Sequence, residues 1–234
     1  PPRRDLPRRL MLPAPAHLDS LARDLFGERR VLAEQYAEIL RTRGAEEGLI
    51  GPREVDRIWE RHVINCALMV RALGPVGLVE SLADVGSGAG LPGLVIAIAR
   101  EDIDVTLIET MQRRVDFLER AVEELNLVNV EVVRARAEDL HGEREFDAVT
   151  ARAVAALDKL AKWTVPLVRI GGELVVMKGK SARDEVVKAE KTLARLGACD
   201  VRVEEFGDPS VEVPTTVVRA HVREVSGRKG PRRG

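Results

Sequence analysis

The spacing of apolar residues divides this chain into a helical first part and a mixed second part. Across residues 17–47, leucine, valine and isoleucine recur at helical intervals, which predicts a long helix. A second apolar stripe runs from Val55 to Leu73, and Pro52 and Gly74 are placed to begin and end its helix. We therefore expect residues 17–75 to form an N-terminal unit, called here the helical annex.

From Leu82 onward the rhythm changes to short runs of valine, isoleucine and leucine that alternate with helical stretches. This alternation, with clear helices over 113–126 and 182–196, predicts a doubly wound, mostly parallel sheet of the α/β class within residues 76–223. Two final segments of period two have no helix between them, so we expect them to form an antiparallel hairpin at the sheet edge. Strands are predicted at 80–85, 103–109, 129–134, 146–150 and 172–178.

A glycine-rich segment, Ala83 to Gly93, follows the first predicted strand. Its glycines allow the backbone to turn tightly beside a ligand, and Pro92 is expected at the first position of the next helix. Glu109 ends the second predicted strand, about 20 residues after the glycines, the spacing of a carboxylate that binds ribose hydroxyls. These features predict a nucleoside site.

The charge beside the glycines decides which nucleoside is favoured. Gly88, Gly90 and Gly93 match the G-x-G-x-x-G pattern of dinucleotide enzymes, which by itself is weak evidence. Asp84 would repel a pyrophosphate but attract the sulfonium and ammonium groups of S-adenosylmethionine. We therefore expect S-adenosylmethionine as methyl donor. A dinucleotide-dependent oxidoreductase and a turn that binds nothing remain the alternatives.

The net charge of −1 conceals basic ends on an acidic body. Residues 1–10 carry four arginines against one aspartate, and residues 223–234 carry five basic residues against one glutamate. We expect flexible basic tails over 1–16 and 224–234, which either bind a polyanion or only improve solubility. Aromatic residues make up 3% of the chain, so base stacking is not expected to dominate binding.

Several other classes of protein are disfavoured. The longest apolar run, Leu91 to Ala99, is too short to cross a bilayer, and no secretory signal is visible, so we expect a cytoplasmic protein without membrane contact. Cys66 and Cys199 lack C-x-x-C spacing and are expected to be reduced thiols. No metal-ligand spacing and no Ser-His-Asp arrangement is apparent, so no metal is expected.

Motifs in one consistent order give the chain a more specific resemblance. It resembles the ribosomal RNA small-subunit methyltransferase G family, also called glucose-inhibited division protein B, over roughly residues 48–180. The matching segments are Arg61-His62, Asp84 to Gly93, Arg113 to Leu118, Arg136-Ala137-Glu138, Arg152-Ala153 and Met177-Lys178-Gly179.

This resemblance implies a class I S-adenosylmethionine-dependent methyltransferase that methylates N7 of one guanine in small-subunit (16S) ribosomal RNA. Its partner would be that RNA or the assembled small subunit, and the protein is expected to be a monomer. A small-molecule or protein methyltransferase on the same fold stays open. By position, the family's donor contacts fall on Gly86, Leu91, Ala137, Glu138 and Arg152.

Residue chemistry adds Asp84, Gly88 and Glu109 to this predicted donor site. Arg152 follows a central strand, where ligands of open α/β sheets collect, so it is also expected at the reaction centre as the catalytic residue. Contacts to the RNA backbone are expected from the tails and from Arg113, Arg114, Lys178 and Lys180.

The helical annex departs from the family pattern at two places. Gly48-Leu49-Ile50 stands where the family commonly shows Asn-Leu-Thr, and Asn65-Cys66 follows His62 where the family shows Asp-Ser. We expect the annex to lie over the mouth of the site, so these departures concern the RNA-facing side. Because His62 lies on the apolar stripe, we expect it to be packed and hydrogen-bonded.

Overall fold

A seven-stranded sheet forms the centre of the computed structural model, which describes residues 11–225. The strand order is β3-β2-β1-β4-β5-β7-β6, with β1 to β5 parallel and β7 antiparallel to both β5 and β6. The strands are β1 Ser81–Val85, β2 Asp104–Glu109, β3 Val130–Arg134, β4 Phe146–Thr150, β5 Val168–Lys178, β6 Ala198–Phe206 and β7 Thr215–Val222.

The predicted parallel sheet and its closing antiparallel hairpin are confirmed, with β6 at the edge. The fifth strand begins at Val168, four residues earlier than the pattern indicated. Most of the two predicted tails, residues 1–10 and 226–234, lies outside the described residues.

Seven α-helices flank the sheet in the described chain. They are α1 Asp19–Phe26, α2 Arg30–Ile39, α3 Asn65–Leu68, α4 Gly93–Ala99, α5 Gln112–Leu125, α6 Leu157–Thr164 and α7 Ala182–Leu196.

The helical annex is less regular than its sequence pattern indicated. The helix predicted over 17–47 is interrupted at Gly27, whose φ of 49° is incompatible with a continuous right-handed helix. The second helix begins with a 3-10 segment, Pro52–Arg57, continues through π-helical Trp59–Ile64 into α3, and ends in a 3-10 segment, Met69–Leu73. The predicted start at Pro52 and end at Gly74 are confirmed.

Two apolar cores lie on opposite faces of the sheet. The annex, α4 and α5 share one core with Leu82 of β1, whereas α6 and α7 pack on the other face against Ala83 and Val85. Because side chains alternate along a strand, Asp84 points towards the annex face together with Leu82. Annex and sheet are thus joined by one continuous core.

Two findings bear on broader classes of protein. Within residues 11–225, no helix combines the length and apolar character needed to cross a membrane. The same part of the chain contains no group of three or more His, Cys, Asp or Glu side chains placed to hold a metal ion.

Candidate functional site

A cavity of about 830 Å³ opens where β1, β2 and β4 end, the edge at which open α/β sheets bind ligands. Its volume lies within the roughly 300–1,000 Å³ typical of small-molecule sites. The donor wall, on the sheet side, comprises Gly86, Gly88, Leu91, Glu109, Ala137 and Glu138. The annex wall comprises Gly48, Leu49, Ile50, Glu54 and His62.

Glycines shape the donor wall where the chain leaves β1. Gly86 and Gly88 have φ values of 74° and 59°, in the left-handed region that side chains disfavour. A Cβ at Gly86 would lie 2.9 Å from Val154 Cγ2, too close for a relaxed contact. The helix after the loop begins at Gly93, so Pro92 precedes it instead of occupying its first position.

Asp84 lies beneath this glycine loop and does not line the cavity. Its fully buried carboxylate accepts a 3.0 Å hydrogen bond on Oδ2 from the Gly93 N–H, and Oδ1 has no hydrogen-bond partner among residues 11–225. Burial raises the pKa of Asp84 to about 7, against the lowering effect of the Gly93 hydrogen bond. The expectation that Asp84 contacts the donor directly is therefore corrected. Its side chain points into the core between the sheet and the annex, where it supports the glycine loop through the Gly93 N–H.

Gly93 and Tyr36 fix the position of the glycine loop relative to Asp84 and the annex. A Cβ at Gly93 would lie 2.7 Å from Asp84 Oδ2 and closer still to Leu107 Cδ2, so only glycine fits without a shift. From the annex, the fully buried Tyr36 hydroxyl donates a 2.7 Å hydrogen bond to the Ala89 carbonyl. The loop is thus held from the sheet and from the annex.

Glu109 ends β2 and faces the cavity, as predicted for a ribose-binding carboxylate. Burial raises the pKa of Glu109, but N–H donors and the nearby Arg114 outweigh it, so the pKa is lowered. Those donors are the N–H groups of Met111, Thr110 and Gly88, at 3.0, 2.7 and 3.1 Å. The group therefore stays ionised, and its orientation is set by backbone contacts.

The far end of the donor wall follows β3. Ala137 is buried and begins the 3-10 segment Ala137–Leu140, whereas the adjacent Glu138 is exposed. Trp163 also lines the cavity, and Lys159 Nζ lies 5.0 Å from the centroid of its ring. Trp163 had no sequence signal, because α6 brings it to the site from 25 residues beyond Glu138.

Arg152 lines the cavity between the two walls, two residues after β4 ends. Its guanidinium donates to Cys66 Sγ at 3.0 Å, to the Arg61 carbonyl at 3.1 Å and to His62 Nδ1 at 2.9 Å. All three acceptors belong to the helical annex. Arg152 therefore ties the annex to the sheet, and Cys66, one of the departures from the family pattern, supplies one of the contacts.

His62 is buried and hydrogen-bonded, as its place on the apolar stripe predicted. Burial, followed by the positive charge of Arg152, lowers the pKa of His62 to about 4, so the imidazole is neutral near pH 7. Since Nδ1 accepts from Arg152, the proton resides on Nε2. That Nε2 lies 2.9 Å from Glu54 Oε2 without hydrogen-bond alignment.

Of the cationic side chains expected to contact RNA, some are paired with a carboxylate of the protein and others are exposed. Lys178 is wrong for this role, because its Nζ is largely buried and binds Glu185 Oε2 at 2.6 Å and the Ala155 carbonyl at 2.9 Å. Arg114 Nη1 lies 3.5 Å from Glu109 Oε2, whereas Arg113 and Lys180 are exposed.

Comparison with known sequences assigns the family. Residues 30–213 match the GidB family model, described as rRNA small subunit methyltransferase G. The chain belongs to this family. It is 50% identical over 203 residues to the "Ribosomal RNA small subunit methyltransferase G" of Paenarthrobacter aurescens, covering 87% of this chain and 93% of that protein. It is also 48% identical over 222 residues to the "Ribosomal RNA small subunit methyltransferase G" of Mycobacterium marinum, covering 92% of this chain and 96% of that protein.

Solved structures agree with the fold of this GidB family member. A putative S-adenosyl-L-methionine-dependent methyltransferase from Methanococcus maripaludis matches with a TM-score of 0.57 at 11% identity, over 78% of this chain and 95% of that one. A predicted O-methyltransferase from Agrobacterium tumefaciens matches with a TM-score of 0.55 at 18% identity, over 71% and 85%. At such identities the likeness concerns the fold, which is that of class I S-adenosylmethionine-dependent methyltransferases.

Proposed function

We propose that this chain transfers a methyl group from S-adenosylmethionine to N7 of a guanine in small-subunit ribosomal RNA. The observation that carries the proposal is the two-walled cavity, in which the residues on the sheet side suit a nucleoside and polar annex groups lie opposite them. The family assignment supports the RNA substrate, because the curated relatives are named for it.

The donor wall fits S-adenosylmethionine. Gly86 and Gly88 leave the backbone open to close approach, and Glu109 is an ionised acceptor facing the cavity, suited to ribose hydroxyls. Ala137 and Glu138 offer a backbone N–H and a carboxylate where the adenine edge would lie, and Leu91 supplies an apolar surface. Arg152 is the remaining residue of the proposed donor site and lies next to the annex.

The chemistry needs no general base from the protein. S-adenosylmethionine supplies an electrophilic methyl group, and guanine N7 carries an in-plane lone pair and no proton to remove. The two walls then have to hold the base in line and exclude water, an alignment that can supply about 7–11 kcal/mol. A carboxylate near the base would stabilise the positive charge that the purine acquires.

Methylation of ribosomal RNA from cells that lack the gene tests the proposal. Purified protein with labelled S-adenosylmethionine should methylate the small-subunit RNA or the assembled subunit, and the product should be N7-methylguanine. The single-turnover rate should be nearly flat between about pH 6 and 8.5. Protection from heating by NADH instead of S-adenosylmethionine would contradict the proposal, as would a product on an amine, hydroxyl or carbon atom.

The proposed substrate also defines the partner and the place of action. Small-subunit ribosomal RNA, alone or assembled, would be met in the cytoplasm. We propose that the protein acts there as a monomer.

A further inference from the structure

The annex wall contains an anionic side chain where a polyanionic substrate would enter. Glu54 lines the cavity, and its side chain is 39% exposed. Its neighbours do not neutralise it fully, because His62 is uncharged near pH 7 and Arg61 Nη1 is 3.9 Å away on a half-exposed side chain. A carboxylate here repels phosphates, so a favourable contact with RNA has to come from a hydrogen-bond donor, which a base edge or a ribose 2′-hydroxyl supplies.

His62 provides a second polar group beside Glu54, because it lines the same cavity. Its side chain is 6% exposed, and its Nε2–H has no hydrogen-bond partner within the described residues. Leaving a buried donor unpaired is unfavourable, and an incoming acceptor would satisfy it. Glu54 and His62 together present a donor followed by two acceptors, with Nε2 and Oε2 2.9 Å apart.

We propose that Glu54 and His62 read the Watson–Crick edge of the target guanine, an inference that rests on the proposed function. Guanine carries an acceptor, O6, followed by two donors, N1–H and the N2 amine. Of the four RNA bases, only guanine complements a donor followed by two acceptors, which is the pattern by which cytosine pairs with it. His62 Nε2–H would donate to O6, and the carboxylate of Glu54 would accept from N1–H and N2–H.

This arrangement also serves the reaction. N7 lies on the other edge of the purine, so a guanine held by the annex wall presents N7 towards the donor wall. When N7 is methylated, the purine becomes cationic and its N1–H a stronger donor. The hydrogen bonds to Glu54 therefore strengthen as the bond forms, and an interaction stronger in the transition state raises the rate.

The test compares guanosine with inosine, which lacks the N2 amine, at the methylated position of small-subunit RNA assembled by ligation. Single-turnover rates are measured at saturating RNA and S-adenosylmethionine for the wild type, for Glu54→Gln and for the control Glu46→Gln. Glu46 is an exposed annex residue outside the cavity, so its substitution removes the same charge. Thermal melting and calorimetry of donor binding show whether the variants fold and bind normally.

The wild type should methylate guanosine about 10- to 100-fold faster than inosine, because inosine leaves one acceptor of Glu54 unpaired. Glu54→Gln should slow guanosine methylation by a similar factor and reduce the preference to less than about threefold, with donor affinity within about twofold of wild type. Glu46→Gln should keep the full preference.

A Glu54→Gln variant that retains the wild-type preference for guanosine would overturn the inference, as would a wild type that methylates both bases equally. Either result leaves the proposed function intact, since N7 methylation still occurs. Absence of any donor-dependent N7 methylation by the wild type would instead contradict the proposed function itself.

Discussion

The two walls of the cavity are held in different ways. The donor wall is a feature of the backbone, in which glycines, a buried aspartate and N–H groups set the shape around Glu109. The annex wall is built from side chains, and the partly buried Arg152 guanidinium connects His62 and Cys66 to the sheet. A fixed backbone suits the binding of the same methyl donor in every turnover, whereas the side chains of the annex wall are the groups that we propose select the acceptor.

The largest expected effect concerns Asp84, the buried carboxylate beneath the glycine loop of the donor wall. The pKa of Asp84 rises from 3.8 to about 7 on folding, which corresponds to roughly 4 kcal/mol. Because the folded state holds this proton more tightly, stability falls as pH rises from about 4 to 7. Asp84→Asn should remove this loss and be more stable than wild type at pH 8, by up to about 4 kcal/mol.

Denaturant unfolding at pH 5 and pH 8 measures this effect, with Asp116→Asn as a control on a partly exposed helix face. If Asp84→Asn keeps the wild-type dependence on pH, another group is responsible for it.

The second prediction concerns the close packing under the loop. Gly93→Ala should cost about 3 kcal/mol and weaken donor binding, because the new methyl group would displace Leu107 or the carboxylate of Asp84. The matched control is Gly179→Ala, where a Cβ meets no heavy atom within 4 Å. Thermal unfolding and calorimetry on both variants check this, and equal stabilities would mean that the loop tolerates side chains.

The third prediction separates the cavity-facing carboxylate from the buried one. Glu109→Gln should weaken S-adenosylmethionine binding by roughly 1.5–3 kcal/mol, or about 10- to 100-fold, through loss of charge-assisted hydrogen bonds. Glu119→Gln, on the exposed side of α5, is the control. Titration calorimetry measures the affinities, and a Glu109→Gln variant that binds like wild type would remove Glu109 from the donor site.

The smallest expected effect falls on the link between the walls. Arg152→Ala removes the hydrogen bonds to three annex acceptors and should cost about 1–3 kcal/mol, with a slower single-turnover rate. Its loss should also raise the pKa of His62 from about 4, which NMR titration detects. Arg43→Ala, which breaks a surface ion pair between the annex and Glu124, should cost less than about 1 kcal/mol. An unchanged His62 titration would contradict the link.

Much of the donor wall could be predicted from the sequence, because glycine and strand periodicity act locally. For this reason the structure places Gly86, Gly88 and Glu109 at the cavity, as expected, and their contact with the donor stays a prediction. Asp84 was wrongly predicted to contact the donor. The sequence shows an acidic residue at a strand end, but it does not show to which face of the sheet the side chain points. Only the position of Leu82 in the annex-side core resolves that.

The contacts of the annex wall could not be predicted from local sequence patterns, because they join distant parts of the chain. Arg152 reaches Cys66 across 86 residues, and no periodicity indicates such a pair. Lys178 was misassigned because its partner Glu185 lies on the following helix, which folds back over the strand end. The break at Gly27 was missed because the apolar spacing continues on both sides of it.

The hydrogen bond from Tyr36 to Ala89 has a consequence for how such a protein can diversify. Since an annex helix supplies a buried contact to the donor loop, the annex is not an exchangeable specificity module. A chimera that carried the annex of an unrelated methyltransferase would lose the support of its own donor loop. New acceptor specificity in this architecture has to arise by substitutions within the annex that leave the shared core in place. Gly48 is such a position, because it is exposed at the cavity, whereas Ile50 belongs to the core itself.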